Sequence, residues 1–245
     1  VRTVQAQSVF ENSIAIFEGN SVASESIYSP AYLPTARDPV DSWRYRYVKR
    51  AFDLVCSLVM ISIFAIPGLV IAAAIVLTSE GPVFYREKRI GRDGRPFKIW
   101  KFRSMYRAGA GLGEIEVMQA SGKMLEWRMC KHIRDPRITA IGDVLRRWSL
   151  DELPQLFNVL QGHMSLIGPR PIVEAETAFY GNLLPFYLAA TPGLSGLWQV
   201  SGRSNVNYEK RAKLDALYVR SWCLTTDFSI LFRTIPAVLN RIGAH

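Results

Sequence analysis

Asp151 and Glu152 stand side by side just ahead of an apolar helical pattern. Leu153, Leu156, Phe157 and Leu160 recur at i, i+3, i+4 and i+7, one face of a helix, and Gly162 is a natural stop. Ser149 and Glu152 have capping-box spacing, although Pro154 favours a start nearer Asp151. Either start leaves both acids at a helix N-terminus, where free amides and the positive end of the dipole stabilise anions. An ionised carboxylate there can attack phosphorus, and its neighbour can hold Mg2+ to neutralise phosphate charge. An ordinary helix cap explains the same pair without any chemistry.

The surrounding cations favour the chemical reading. In Gly168-Pro169-Arg170-Pro171 two prolines fix the backbone around Arg170, which suits a forked contact with phosphate oxygens. A plain loop with an exposed arginine is the alternative. Lys101 and Arg103 flank Phe102 in a β-prone run, so both cations should share one face. Arg146 and Arg147 lie just before the acid pair, and Arg203 sits in the turn Gly202-Arg203-Ser204. No dinucleotide fingerprint, P-loop or nucleophile elbow is present.

These residues need elements to position them. Residues 1–43 lack periodicity and read as a packing arm or mobile tail. Leu54 to Thr78 is a run of 25 positions without a charge. At about 1.5 Å per residue it could cross a hydrocarbon core of about 30 Å. Pro67-Gly68 splits it, so a break or sharp bend is expected there. Arg44, Arg46, Lys49 and Arg50 precede the run, and Arg86, Lys88, Arg89, Arg92 and Arg95 follow it. Positive flanks prefer the cytoplasmic side, so the expectation over 44–80 is a re-entrant hairpin, with Ser57 or Ser62 serving the freed backbone at the bend. A kinked spanning helix is the alternative.

Residues 81–245 form the remaining unit. Pro82 to Tyr85 and Phe97 to Phe102 read as strands joined by the turn Gly91-Arg92-Asp93-Gly94. Residues 106–134 read as a variable insert, 172–190 as an amphipathic helix, 191–204 as turn-rich and 207–221 as a polar helix. Phe228 to Leu239 has helical apolar spacing that fits either a membrane surface or packing on the domain. The fold class is α+β and helix-rich.

The chain has 245 residues, 49% of them hydrophobic, and a formal net charge of +9. Such a charge favours anionic partners. Three cysteines without a metal or disulfide spacing read as reduced thiols, and three scattered histidines give no zinc motif. No signal peptide is visible.

The ordered motifs resemble the bacterial sugar transferases, the monotopic phosphoglycosyl transferases. They are Lys101 to Met105, Asp135-Pro136-Arg137-Ile138-Thr139, Ser149 to Leu160, Met164 to Pro171 and Pro192 to Arg203. The resemblance covers roughly residues 45–240 and implies a monotopic membrane protein with a re-entrant hairpin and a cytoplasmic catalytic domain. It implies transfer of sugar-1-phosphate from a UDP-sugar to undecaprenyl phosphate, with release of UMP, at the cytoplasmic face of the bacterial inner membrane. Asp151 would be the nucleophile and Glu152 would help hold Mg2+. Lys101, Arg103, Arg137, Arg146, Arg170 and Arg203 would bind substrate, and Pro67 would break the hairpin. Glucose or galactose is the expected sugar, and exopolysaccharide or O-antigen assembly the expected setting. Residues 1–40 show no additional membrane helices or soluble module, so a catalytic unit alone is expected. A homo-oligomer is compatible with the sequence. A non-catalytic membrane adaptor of the same fold is the competing reading. Nucleic acid is the weaker partner, because the basic residues cluster around an apolar segment.

Overall fold

A computed structural model of the chain describes residues 39–106, 137–201 and 207–239. The expectations for residues 1–38, for nearly all of the 106–134 insert and for Gly202-Arg203-Ser204 lie outside these residues.

The long apolar segment forms helix α1, Arg50–Thr78, entered through a wider helical turn over Arg44–Lys49. Among the described residues it is the one helix long and apolar enough to cross a membrane. Its helical conformation continues through Pro67, so the chain does not divide into two helices there. Proline removes one donor and crowds the carbonyl one turn back, but turns on either side keep their own bonds. The serines do not serve the bend as expected. Ser62 donates to the Leu58 carbonyl at 2.9 Å, and the Ser57 hydroxyl is buried without a hydrogen-bond partner among the described residues.

One face of α1 lies against the rest of the chain: positions 53, 57, 60, 64, 68, 71 and 75 are buried or half-buried. Val55, Val59, Ile63, Ile66, Val70 and Leu77 are exposed on the opposite side. Both ends of α1 are tied to the same unit. Near its start, Asp53 accepts from the Ser165 hydroxyl and the Leu166 amide, both at 3.0 Å. At its end, Arg103 donates to the carbonyls of Ser79 and Ile75 at 2.7 and 3.2 Å. Two of the basic residues read as a membrane flank are used inside. Lys49 pairs with Asp227 at 2.6 Å in full burial, and Arg50 donates to the carbonyls of Val159 and Leu160.

Strands β1 (Phe84–Ile90) and β2 (Pro96–Phe102) form an antiparallel hairpin as expected, with Tyr85 opposite Lys101 and Arg89 opposite Phe97. Strand β1 runs on past the expected Pro82 to Tyr85, however, and takes in Arg86, Lys88 and Arg89 of the basic flank. Asp93 and Gly94 take left-handed backbone in its turn, as the Gly-Arg-Asp-Gly sequence requires. Helix α2 (Ala140–Arg147) is capped by Thr139, whose hydroxyl accepts from the Gly142 amide at 2.9 Å. Gly142 lets α2 approach the hairpin's exit: a Cβ there would lie 2.0 Å from the Ser104 carbonyl oxygen.

After helix α3 (Gln155–Gln161), strand β3 (Ser165–Ile167) pairs in parallel with β4 (Gly193–Ser195), which the turn-rich reading of 191–204 did not foresee. The helix expected over 172–190 is interrupted. A tight helical stretch over Glu174–Leu183 breaks at Gly181, φ 48°, and α4 (Leu184–Ala189) starts afresh with Pro185 in its first turn. A single turn, α5 (Leu197–Val200), follows β4.

Helix α6 (Tyr208–Ser221) forms where the polar helix was expected, and much of it is buried. Arg211, Leu214, Asp215, Leu217, Tyr218 and Val219 are all buried, and Asp215 and Tyr218 find partners inside. Tyr180 donates to Asp215 at 2.8 Å, and Tyr218 donates to Asp227 at 2.8 Å. The main core packs α3, β3, α5 and α6 together with Phe97 and Ile99 of the hairpin. Each fully buried leucine, such as Leu156, contributes about 2 kcal/mol by leaving water.

Helix α7 (Leu224–Leu239) packs one side on the domain and leaves the other exposed. Asp227 and Ile230 face inward, while Phe228, Phe232 and Ile235 are exposed at i, i+4 and i+7. Phe228 meets Phe52 of α1 at 4.9 Å, so the two exposed apolar faces are contiguous.

Candidate active site

The backbone ahead of the acid pair is strained. Ser149 takes left-handed geometry, φ 55° and ψ 22°, and makes no side-chain cap. That conformation costs a non-glycine residue about 1–3 kcal/mol and concentrates at functional sites. It turns the chain from α2 directly into a tight turn, Leu150–Glu152, that carries both acids. The capping box read from Ser149 and Glu152 therefore does not form. Helix α3 starts only at Gln155, and Pro154, which has no amide hydrogen to leave unpaired, fills the position before it.

Asp151 is 8% exposed. Burial and the adjacent Glu152 charge push its carboxyl up to about 6, against the pull of Lys101 and Arg146. This corrects the expectation that a helix end holds it ionised: the helix begins four residues later, and burial outweighs it. Asp151 still carries its charge at neutral pH, as a more basic nucleophile than a surface aspartate.

Lys101 reaches across from β2, its ammonium 2.9 Å from a Glu152 carboxylate oxygen. Asn158 of α3 fixes that geometry. Its side-chain oxygen accepts from the Trp100 amide at 2.9 Å and its side-chain nitrogen donates to the Lys98 carbonyl at 2.8 Å, locking α3 to the strand that bears Lys101.

A cleft opens beside the pair, lined by Arg89, Lys101, Glu152, Gln155, Arg170 and Gln199. Arg170 is the half-exposed residue in an otherwise buried run, Met164 to Ile172. Its loop is pinned on both sides. The Pro169 carbonyl accepts from Gly193 at 2.7 Å, and the Pro171 carbonyl accepts from Arg89 at 3.3 Å. Gly168 and Gly193 permit the approach: a Cβ on Gly193 would lie 2.1 Å from the Gly168 nitrogen. The guanidinium of Arg170 lies 5.9 Å from the Trp198 ring centre.

The structure thus gathers Asp151, Glu152, Lys101, Arg146 and Arg170 into one region. Arg103 is placed elsewhere: it is buried and holds the carboxyl end of α1. Beyond β2 the strand alternation ends, so the shared face expected for Lys101 and Arg103 is not realised. Arg137 lies at the foot of α2, where its carbonyl accepts from the Tyr106 amide at 2.8 Å. Arg203 is outside the described residues. Pro67 is inside α1.

Sequence reasoning missed Arg89, Gln155 and Gln199 as cleft residues. Arg89 had a legible signal, since antiparallel pairing with alternation puts it on the Lys101 face of the hairpin. The glutamines had none, because their role depends on how β4 and α5 stack on the Arg170 loop.

A family model described as bacterial sugar transferase matches residues 44–241. The exopolysaccharide production protein ExoY of Rhizobium meliloti is 41% identical over 227 residues, covering 91% of this chain and 99% of that protein. The UDP-galactose-lipid carrier transferase of Erwinia amylovora is 47% identical over 201 residues, 82% of this chain and 42% of that protein. The UDP-glucose:undecaprenyl-phosphate glucose-1-phosphate transferase of Klebsiella pneumoniae is 37% identical over 220 residues, 86% of this chain and 44% of that protein. The chain therefore spans less than half the length of the latter two.

Proposed function

The chain belongs to the bacterial sugar transferase family, and on that premise we propose that it transfers sugar-1-phosphate from a UDP-sugar to undecaprenyl phosphate, with release of UMP. The observation that carries this reading is the buried Asp151 beside Glu152, faced by Lys101 and flanked by Arg146 and the Arg170 cleft. A buried nucleophile next to a cleft that holds a second carboxylate and several cations suits a diphosphate donor.

In the first step an Asp151 oxygen attacks the β-phosphorus. The bond from that phosphorus to the bridging oxygen breaks, and UMP leaves with the electron pair. In the second step an oxygen of undecaprenyl phosphate attacks the same phosphorus, releasing the Asp151 carboxylate and forming undecaprenyl-diphosphate-sugar. Lys101 and Arg170 hold phosphate oxygens and oppose the charge that would otherwise keep two anions apart. Both steps exchange one phosphorus–oxygen bond for another and consume no proton.

Asp151 and Glu152 are the donors suited to a divalent cation. Among the described residues no cluster of three metal-ligating side chains is present. Mg2+ is commonly held by one or two carboxylates together with substrate phosphates, so the pair fits Mg2+ bound with the donor. Mg2+ there would supply neutralisation of the diphosphate charge.

The membrane placement follows from α1 and α7. The exposed stripe of α1 continues into Phe228, Phe232 and Ile235, giving one apolar surface. Asp53 at one end of α1 and Ile75 at the other are bonded to the same folded unit. That favours entry and exit by one membrane face, the cytoplasmic one by charge, over a span with its ends on opposite sides. Glucose and galactose are the sugars proposed, in line with the names of the relatives. Exopolysaccharide assembly is the setting proposed, as the relative of matching length suggests.

UMP release from a panel of UDP-sugars, with undecaprenyl phosphate and Mg2+, tests the proposal. UDP-glucose or UDP-galactose should be consumed. Lack of turnover with every sugar would favour the adaptor reading.

A further inference from the structure

The cleft beside Glu152 contains a neutral acceptor that a phosphate cannot satisfy. Arg89, Lys101 and Arg170 all present donors to it, matching phosphate oxygens. Gln199 also lines the cleft, and its side chain carries an acceptor as well as a donor. Its amide nitrogen donates to the Leu194 carbonyl at 3.1 Å, which fixes the side-chain flip. The flipped amide would set two oxygens against each other. The Gln199 carbonyl oxygen is therefore left buried and without a hydrogen-bond partner among the described residues. A buried acceptor left unpaired is destabilising, so such a group calls for a functional explanation, and a bound ligand that donates to it is one. Its chain neighbour Trp198 is buried, with the Arg211 guanidinium 4.8 Å and the Arg170 guanidinium 5.9 Å from its ring centre.

We propose that Gln199 is a specificity-determining residue that accepts a hydrogen bond from the group attached to the bound phosphates. The chemistry required is a hydroxyl or an N–H, offered by the transferred sugar or by the nucleoside. Phosphate oxygens, which only accept at neutral pH, cannot be its partner. The inference rests on the donor reading proposed above and adds to it the residue that distinguishes a substituted diphosphate from a bare one.

Calorimetric binding of UDP-glucose, UDP and inorganic pyrophosphate to the full chain tests it, in an Asp151→Asn background that prevents turnover. Gln199→Met keeps the side-chain volume and removes the acceptor. It should weaken UDP-glucose at least tenfold and leave pyrophosphate within twofold. An equal loss for UDP assigns the contact to the nucleoside, and an unaltered UDP affinity assigns it to the sugar; either supports the proposal. Equal loss for all three ligands overturns it, because Gln199 would then only shape the phosphate cradle. Unaltered UDP-glucose affinity overturns it as well. Gln199→Asn, which shortens the reach by one methylene, should show the same pattern and serves if the methionine variant does not fold. Failure of the donor reading itself would look different: the Gln199-intact chain would bind no sugar nucleotide, and the inference would fall with it.

Discussion

The Lys101 ammonium lies 2.9 Å from Glu152, the residue next to the proposed nucleophile Asp151. The pair joins the β-hairpin to the strained turn before α3 and puts a cation where phosphate charge must be received. Both partners are about a quarter exposed or less, so the pair itself is worth only about 1 kcal/mol. Its consequence is chemical. Lys101 is one of two cations that pull Asp151 down against burial. Lys101→Met is expected to slow sugar-phosphate transfer about 10- to 100-fold and to move the acidic midpoint of the rate profile upward. A slower variant with an unmoved midpoint would limit Lys101 to substrate binding.

The pH dependence of the parent chain follows from the same carboxyl. With Asp151 pushed up to about 6, the ionised fraction falls as pH drops through that value. The first-step rate at saturating UDP-sugar should fall about tenfold per pH unit below about 6 and level off above about 7. A profile flat down to pH 4.5 would contradict the buried, raised carboxyl.

Stability should run the other way from activity. Asp151 binds its proton more tightly folded than unfolded, so folding stability falls as pH rises from about 4 to about 6, and stays lower above. Asp151→Asn removes that penalty along with the nucleophile. The variant should lose at least a thousandfold in UMP release yet gain about 1–3 kcal/mol of stability at pH 7.5. At pH 4 the gain should vanish, which thermal scans at the two pH values would reveal.

The hairpin, its turn, the stop of α3 at Gly162 and the acid pair were legible in the sequence, because each rests on local chemistry: alternation, left-handed turn residues or a helix period. Contacts between elements were not. Arg103 reads like Lys101 in sequence, yet one residue past the end of β2 its guanidinium turns to the end of α1. Residues 207–221 read only as a polar helix, and Arg211 and Asp215 are buried with Tyr180 and Trp198 nearby. Lys49 and Arg50 read as membrane flank and are structural. Periodicity locates a helix face without saying which neighbour supplies the partner.

Lys49 gives a separate test of how α1 is held. Its ammonium is buried against Asp227, which also accepts from Tyr218 and Trp222. Removing one partner of a buried pair strands the other, so Lys49→Met should destabilise the chain by about 3–5 kcal/mol. Thermal unfolding in detergent measures this. A loss under 1 kcal/mol would show that α1 is held by its apolar contacts alone.

The central claim is that Asp151 carries the sugar phosphate between the two substrates. Intact-mass spectrometry of the chain mixed with UDP-glucose or UDP-galactose, without undecaprenyl phosphate, tests it most directly. The account predicts a mass gain of one hexose phosphate, mapped to the peptide containing Asp151, lost on adding the acceptor and absent from Asp151→Asn. UMP release that strictly requires the acceptor, with no adduct at any time, would contradict it.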